Sequence, residues 1–418
     1  MKKKLIFIVL AALIAAFLLT DCAYYPKTEL EFCEGTNIDY SKFEGTVLKV
    51  YNWGYYISDG SDGSIDVNKE FEMLTGIDIV YDNYDSNESL YAKIKNGGAD
   101  YDVIIPSDYM IARLINEGYL AKLNFDNIPN YKYIDNKYKN MEYDINNEYS
   151  VPYNVGTVGV IYNKNAIPEK PTSWSVMWDE QYKGKILNFN NSRDAFAIAQ
   201  FYLGLDINST NEADWDAAYE ALLDQKNVLQ SYVMDEVFNK MESGEAWLAP
   251  YYAGDFFTMY ENEGNDNLGF FYPEEGTNVF VDAACVLANS KNKEAAELYI
   301  NFLADPVIAK ANAEYLYYAS PNEAVAADEE YIQGLLDTHP DAYEILYGYD
   351  NLNNDAFADL PDSTKKYMTK KWTQLGASVT EDNDNNIIYA VSVLIIAMFV
   401  GWFIFNTIRK KKRAQYYK

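Results

Sequence analysis

The chain has very little histidine and cysteine. Its 418 residues include a single histidine, His339, so histidine-based metal sites and most hydrolase triads, which need a positioned imidazole, are not expected. Its three cysteines, Cys22, Cys33 and Cys285, form no CxxC pair, which argues against a zinc ribbon or a thioredoxin-type site. Cys285 lies in the apolar run AACVLA and is predicted to be packed in a core, whereas for Cys22 and Cys33 pairing and other fates stay open. We expect no metal and no cofactor.

Positive charge is also scarce. The chain has 34 Lys and Arg residues against 63 Asp and Glu residues, which gives a formal net charge of −29. Nucleic-acid phosphates require clustered Lys and Arg, so this composition argues against nucleic acid and favours cationic partners. The alternative is that the acidity only keeps an exported protein soluble. The length allows two domains, each with its own core.

Long apolar segments stand at both ends of the chain. Residues 1–22 begin with lysines and continue as an apolar run, which predicts a secretory signal that is cleaved, lipidated at Cys22 or retained as an anchor. Residues 387–408 contain the uncharged run IIYAVSVLIIAMFVGWFIF and are predicted to be a transmembrane helix. An acidic linker, 379–386, precedes this segment, and the basic tail 409–418 follows it. The positive-inside rule places the basic tail in the cytoplasm and the residues between the two apolar segments outside.

Strand-like and helix-like segments alternate between residues 46 and 378. Strands are predicted at 47–51, 77–81, 101–106, 150–163, 185–189, 246–252 and 279–287, and helices at 65–74, 89–95, 195–203 and 212–223. This alternation indicates an α/β fold with a parallel or mostly parallel sheet. The stretch 124–147 is rich in Asn, Asp and Tyr and is predicted to be a surface excursion.

The stretch 47–59, VLKVYNWGYYISD, is predicted to be a buried strand that ends in a loop. In open α/β sheets, ligands bind outside the carboxyl ends of the strands. Trp53, Tyr55 and Tyr56 would therefore present flat apolar surfaces to a ligand. The local pattern is equally compatible with an alternative in which the three are core aromatics under a loop.

Asp282 lies inside the apolar predicted strand 279–287. Burial of an acidic side chain is costly unless the side chain is paired. Asp282 is therefore expected to be either a structural partner or a ligand group.

Several motifs of the chain occur in an order and spacing typical of one family. They are YNWxxY (51–56), YDSNESLYAKI (84–94), YDVIIPSDY (101–109), SVPY (150–153), the Arg193-Asp194 turn, AGD (253–255) and VDAACVLANSKNKEAAELYINFL (281–303). This series resembles the spermidine- and putrescine-binding proteins of bacterial polyamine ABC importers, from about residue 46 to about residue 376. The resemblance implies a two-lobed α/β fold of the periplasmic-binding-protein type (class II) with two crossings. Lobe 1 would comprise 46–156 and 282–327, and lobe 2 would comprise 157–281 and 328–378.

The resemblance implies a receptor rather than an enzyme. Such a receptor closes its lobes over putrescine or spermidine and delivers the ligand to the permease and ATPase subunits of an ABC importer. The ligand-binding residues that it implies are the rings of Trp53, Tyr56, Tyr109, Tyr252 and Phe280, the carboxylates of Asp194, Asp255 and Asp282, the hydroxyl of Ser107, and Tyr55 beside them. Tyr252 and Phe280 stand where relatives usually have tryptophan, and Tyr55 stands where many have an acid. The choice between the two polyamines therefore stays open.

The chemistry of a polyamine agrees with this residue set. A polyamine carries an ammonium group at each end and methylenes between, so its site needs carboxylates at the ends and flat apolar walls along the middle. Paired carboxylates and aromatic platforms also suit sugars. A carbohydrate-binding protein or glycoside hydrolase is therefore one alternative, and a receptor of the same fold for a different ligand is another.

Overall fold

The computed structural model describes residues 30–32, 40–97, 100–262 and 264–378. The segments predicted at 1–22, 379–386, 387–408 and 409–418 lie outside these residues, as do Cys22 and Cys33. In the part of the chain that is described, no helix is both long enough and apolar enough to cross a membrane.

Strands and α-helices alternate along these residues. The strands are β1 (Val47–Trp53), β2 (Asp78–Tyr84), β3 (Val103–Ile104), β4 (Ser150–Asn163), β5 (Ile186–Phe189), β6 (Leu229–Val233), β7 (Leu248–Tyr252), β8 (Leu268–Phe271), β9 (Thr277–Val286) and β10 (Asn354–Asp355). The α-helices are α1 (Val67–Thr75), α2 (Asn87–Lys95), α3 (Asp108–Asn116), α4 (Ser192–Leu203), α5 (Glu212–Gln225), α6 (Glu236–Glu242), α7 (Ala253–Glu261), α8 (Lys293–Leu303), α9 (Pro306–Leu316), α10 (Glu323–Ala326), α11 (Glu329–Thr338), α12 (Ala342–Tyr347) and α13 (Asp362–Ala377).

The chain divides into two compact units. Among the described residues, unit 1 takes those within Met1–Thr157, Ala253–Thr258 and Val279–Tyr349, and unit 2 takes those within Val158–Tyr252, Met259–Asn278 and Asp350–Lys418. Two of the five changes of unit along the chain therefore fall inside strands, one in β4 and one in β9. The predicted lobes differ from this division chiefly at 253–258 and 328–349, which fall in unit 1.

Tertiary contacts explain both differences. The Tyr347 hydroxyl donates to the buried Tyr331 hydroxyl at 3.1 Å, which joins α12 to α11. Lys310 of α9 pairs with Asp328 at 3.0 Å and so holds the start of α11 in unit 1. At 253–258, Gly254 lies so close to the Tyr318 ring that a Cβ atom would come within 2.4 Å of it. No local sequence pattern reveals these contacts, because each joins segments that are apart in the chain.

The sheet of unit 1 runs in the order β2, β1, β3, β9, β4. β1 pairs in parallel with β2 and β3, as predicted. The prediction of a mostly parallel sheet is wrong for β9, which is antiparallel to both β3 and β4. Alternation of strands and helices fixes the direction only of strands joined by a single crossover. β3 and β9 are separated by more than 170 residues, so the pattern could not fix their relative direction.

The core of unit 1 packs around the first three strands. The rings of Tyr51 and Tyr101 stack with their centroids 4.3 Å apart, next to the buried Leu114 of α3. Cys285 of β9 is fully buried in the same cluster, as predicted, and burial raises the pKa of its thiol well above the usual value. This core fixes the ends of β1 and β3, from which the candidate site extends.

The segment 124–147 is held more tightly than a surface excursion. It forms short 3-10 helices at Phe125–Asn127, Pro129–Tyr133, Asn136–Tyr138 and Glu142–Asp144. Asn130 is fully buried, and its backbone N–H donates to Asn301 Oδ1 at 2.8 Å. The segment lies at the surface, as predicted, with Asn124, Asn136 and Asn140 exposed, but buried Asn130 satisfies a polar group of α8.

The strands of unit 2 also pair in both directions. β5 is parallel to β6 and β7, whereas β7 and β8 are antiparallel to β4. Helices α4, α5 and α13 enclose a core that contains Phe196, Trp215 and Met368. The end of β7 and the start of α4 carry the candidate site residues of this unit.

Candidate functional site

Asp282 and Tyr56 form a buried pair in unit 1. Asp282 lies in β9 with only 2% of its surface exposed. The Tyr56 hydroxyl donates to Asp282 Oδ2 at 2.7 Å. Burial, and to a lesser extent the adjacent carboxylate, raises the pKa of Tyr56 well above its usual value, so the phenol keeps its proton. Asp282 is therefore paired with Tyr56, which fits the expectation of a structural partner. Its role as a ligand group stays a prediction.

Asp255 has a tyrosine partner of the same kind. The Tyr318 hydroxyl donates to Asp255 Oδ2 at 3.2 Å. The Tyr318 ring packs edge-on against the Tyr56 ring, with centroids 5.0 Å apart. Asp255 and Asp282 therefore belong to one connected cluster, although they are separate in sequence.

Tyr318 is the residue of this cluster that sequence reasoning missed. It follows the end of α9, where Tyr317 has a left-handed backbone with φ of 57°. The only local signal was the aromatic run YLYY, which has no spacing relation to Asp255 or Tyr56. Its contact with Tyr56 depends on the packing of α9 beside the loop after β1, where the Ser58 backbone N–H donates to Asn312 Oδ1 at 2.9 Å.

The three aromatic residues at the end of β1 and in the loop that follows it have different environments. Tyr56 is 5% exposed and Trp53 is partly buried against the core. The Trp53 ring packs on the Tyr84 ring with centroids 4.6 Å apart, and its buried Nε1 has no hydrogen-bond partner among the described residues. Tyr55 is 74% exposed and has a left-handed backbone with φ of 49°. Tyr56 is therefore buried, Trp53 partly buried and Tyr55 exposed, and contact of the three rings with a ligand stays a prediction.

Ser107 and Tyr109 lie at the start of α3. Ser107 is buried and forms an isolated antiparallel bridge with Asp282, so these two predicted site residues are neighbours across paired backbones. The Tyr109 hydroxyl donates to Glu88 Oε1 of α2 at 3.0 Å. Glu88 is a carboxylate that the predicted site did not include.

Phe280 lies on the same face of β9 as Asp282, because side chains two residues apart in a strand point the same way. It pairs with Gly156 of β4. A Cβ atom at position 156 would come within 2.2 Å of the Phe280 ring. The ring therefore lies directly over the β4 backbone, and only glycine leaves room for it.

Unit 2 has its own tyrosine and carboxylate pair. The Tyr252 hydroxyl, at the end of β7, donates to Asp194 Oδ2 at 3.2 Å. Asp194 is in the first turn of α4, where the N-cap residue Asn191 accepts from its backbone N–H at 2.9 Å and donates to its carboxylate at 2.7 Å. The neighbouring Arg193 is buried and donates to Ile207 O at 2.8 Å, which is a structural contact.

One arrangement thus recurs at the predicted site residues. In each pair the tyrosine hydroxyl donates a hydrogen bond to a carboxylate, so that towards further groups both partners act as acceptors. The pairs are Tyr56 with Asp282, Tyr318 with Asp255, Tyr109 with Glu88, and Tyr252 with Asp194. Such pairs suit a ligand that only donates hydrogen bonds and carries positive charge. They do not suit an anionic ligand, and a sugar hydroxyl would find no donor in them.

Comparison with known proteins identifies the family. Residues 100–336 match the model of the bacterial extracellular solute-binding proteins, and the chain belongs to this family. Over 284 residues it is 34% identical to the spermidine/putrescine-binding periplasmic protein of Salmonella typhimurium, an alignment that covers 67% of this chain and 79% of the relative.

A second relative and a solved structure agree. The chain is 28% identical over 299 residues to the putrescine-binding periplasmic protein PotF of Escherichia coli, covering 67% of this chain and 79% of the relative. The structure of a putative spermidine/putrescine ABC transporter protein from Listeria monocytogenes superposes with a TM-score of 0.72 at 30% identity, covering 79% of this chain and 99% of that one. These similarities confirm the predicted α/β periplasmic-binding-protein fold.

Proposed function

We propose that this chain is an extracytoplasmic receptor that captures putrescine, spermidine or both and delivers them to the permease and ATPase subunits of an ABC importer. The observation that carries the proposal is the repeated donation of a tyrosine hydroxyl to a carboxylate. Ammonium groups are pure donors, so each pair offers them an acceptor set that is already arranged. The names of the relatives support the same ligand class.

The binding energy would come from two kinds of contact. A charge-assisted hydrogen bond contributes roughly 1.5–3 kcal/mol, and an ammonium group over an aromatic ring adds about 0.5–2 kcal/mol. Three or four such contacts offset the cost of ordering a flexible ligand and allow affinity in the micromolar range or better. In this account Asp282, Asp255 and Asp194 bind ammonium groups.

The other predicted residues would shape the path of the ligand. The rings of Trp53, Tyr56, Tyr109, Tyr252 and Phe280 contact its methylenes, Ser107 accepts one N–H, and Tyr55 lies beside them. Phe280 is fixed over Gly156, so the ring that would contact the methylenes has a defined position. Nothing in this chemistry requires a metal, a cofactor or a catalytic residue.

The chain is proposed to be anchored in the membrane. The uncharged run at 387–408 would span the bilayer, with the tail 409–418 in the cytoplasm and the two units outside. A tether of this kind raises the effective concentration of the receptor at its permease. The family to which the chain belongs is extracellular, which agrees with this orientation.

Calorimetric titration of the purified full chain in detergent tests the ligand class. We expect saturable binding of putrescine and spermidine with micromolar or lower Kd, and no heat from neutral oligosaccharides. Binding of an oligosaccharide alone would favour the carbohydrate alternative. Binding of neither, with heat from another cationic solute, would favour a receptor of the same fold for a different ligand.

Competition between the two polyamines addresses selectivity. Asp255 in the AGD turn and Phe280 beside Asp282 resemble the diamine-preferring members of the family, so putrescine is expected to bind at least as well as spermidine. A tenfold preference for spermidine would contradict this expectation.

A further inference from the structure

The first turn of α2 is held in place by its own capping residues. Ser86 Oγ accepts from the backbone N–H of Ser89 at 3.2 Å, and Ser89 Oγ accepts from the backbone N–H of Ser86 at 3.3 Å. This reciprocal capping box satisfies two N–H groups that a helix start otherwise leaves without intrahelical partners. The two residues between these serines, Asn87 and Glu88, are therefore held in defined positions.

Asn87 binds both the backbone and the side chain of Ser107. Its Nδ2 donates to Ser107 Oγ at 3.0 Å, and its Oδ1 accepts from the Ser107 backbone N–H at 3.3 Å. Asn87 is only 4% exposed. One buried amide thus sets the orientation of a hydroxyl that lies next to Asp282 in the paired backbones.

Glu88 binds Tyr109, which follows Ser107 by two residues in the first turn of α3. Its Oε1 accepts from the Tyr109 hydroxyl at 3.0 Å. At the other end of that residue, the Tyr109 backbone N–H donates to Asp108 Oδ1 at 2.7 Å. The Tyr109 ring packs against the same core as Trp53. The side chain is therefore fixed at its base, along its ring and at its hydroxyl.

We propose that Asn87 and Glu88 are positioning residues, and that Glu88 sets polyamine affinity by holding the Tyr109 ring and committing its hydroxyl proton. This inference rests on the proposed function. Glu88 acts through Tyr109, so what matters is the acceptor oxygen that it presents and not its charge. An amide at position 88 would preserve that oxygen.

The binding test compares three variants of the full chain by calorimetry with putrescine and spermidine. Glu88→Ala is expected to raise Kd at least fivefold, whereas Glu88→Gln stays within about twofold of the wild type because its amide oxygen still accepts from Tyr109. The matched control is Glu117→Ala, because Glu117 accepts from the Tyr91 hydroxyl at 2.8 Å outside the candidate site. Its Kd is expected to be unchanged.

A double-mutant cycle sharpens this test. Tyr109→Phe and Glu88→Ala are expected to be strongly non-additive, because either change breaks the same contact. Full additivity would overturn the proposal, as would an unchanged Kd for Glu88→Ala. A Glu88→Gln variant as weak as Glu88→Ala would also overturn it, since the charge would then act directly.

A second measurement needs no ligand. A single 3-fluorotyrosine at position 109 reports the environment of that ring by ¹⁹F NMR of the full chain. Glu88→Ala is expected to shift and broaden its resonance, and Glu117→Ala is expected to leave it unchanged. If the wild type bound no polyamine, the proposed function would fail, yet this resonance would still decide the positioning role. A resonance that Glu88→Ala does not move would overturn that role.

Discussion

At the scale of single residues, the chemistry of the candidate site depends on which group accepts the hydrogen bond from each tyrosine hydroxyl. Tyr56 and Tyr318 each donate a hydrogen bond to an aspartate, so each pair offers acceptor oxygens to a further group. The sequence indicated that Asp282 needs a partner, because it lies within an apolar strand. It could not identify Tyr56 as that partner, since the two are 226 residues apart.

Tyr55 is where this chemistry can be changed by one substitution. It is exposed and stands in the loop between Trp53 and Tyr56. Tyr55→Glu adds a carboxylate there, and an exposed ion pair contributes about 0.2–1 kcal/mol, so polyamine affinity should rise by a factor of about 1.4 to 5. Tyr55→Gln is the control, because glutamine has nearly the same shape as glutamate but no charge. Equal affinities for the two variants, measured by calorimetry, would contradict the prediction.

At the scale of secondary-structure elements, the sequence predicted whether a segment is a strand or a helix better than it predicted the first and last residues of that segment. β4 has the predicted bounds, and α4 and α5 differ from their predictions by three residues or fewer at each end. β2 continues to Tyr84 instead of ending at 81, because its polar residues still pair with β1 as far as Trp53. That pairing is a tertiary contact, which overrides the turn preference of Asp and Asn.

The crossing of Phe280 over Gly156 gives a prediction about the strands. Gly156→Ala would force its new methyl group into the Phe280 ring and is expected to lower the free energy of unfolding by about 1–3 kcal/mol. Gly334 in α11 has no atom within 4 Å of an added Cβ, so Gly334→Ala should instead stabilise by about 0.5–1 kcal/mol. Urea denaturation of the full chain measures both. A Gly156→Ala variant as stable as the wild type would contradict the close approach of ring and backbone.

At the scale of the whole molecule, the sequence predicted the fold family but not the complete division of the chain. Residues 328–349 belong to unit 1 through contacts such as that of Lys310 with Asp328, which no linear pattern encodes. Sequence analysis also did not assign Tyr318 and Glu88 to the candidate site, because their contacts join segments that are apart in the chain. Motif order was informative because it reports a whole fold, whereas individual partners depend on packing.

The membrane topology is a prediction at this scale. The last described turn is held by Lys226, whose ammonium donates to Leu375 O at 2.8 Å and Ser378 O at 2.6 Å. Covalent geometry limits the eight residues of the linker 379–386 to a span of roughly 29 Å, so unit 2 would stay close to the bilayer. Protease added to spheroplasts should degrade both units and spare an epitope in the tail 409–418. Loss of that epitope without permeabilisation would refute the topology.

The most direct test of the central claim is titration of Asp282→Asn with putrescine and spermidine. The amide keeps the shape of the side chain and an oxygen that accepts from Tyr56, but it removes the charge that would face an ammonium group. Asp337→Asn, an exposed change of equal charge on α11, is the control. The account predicts that Kd rises at least tenfold for Asp282→Asn and stays unchanged for the control. An unchanged Kd for Asp282→Asn would show that this carboxylate does not bind the ligand.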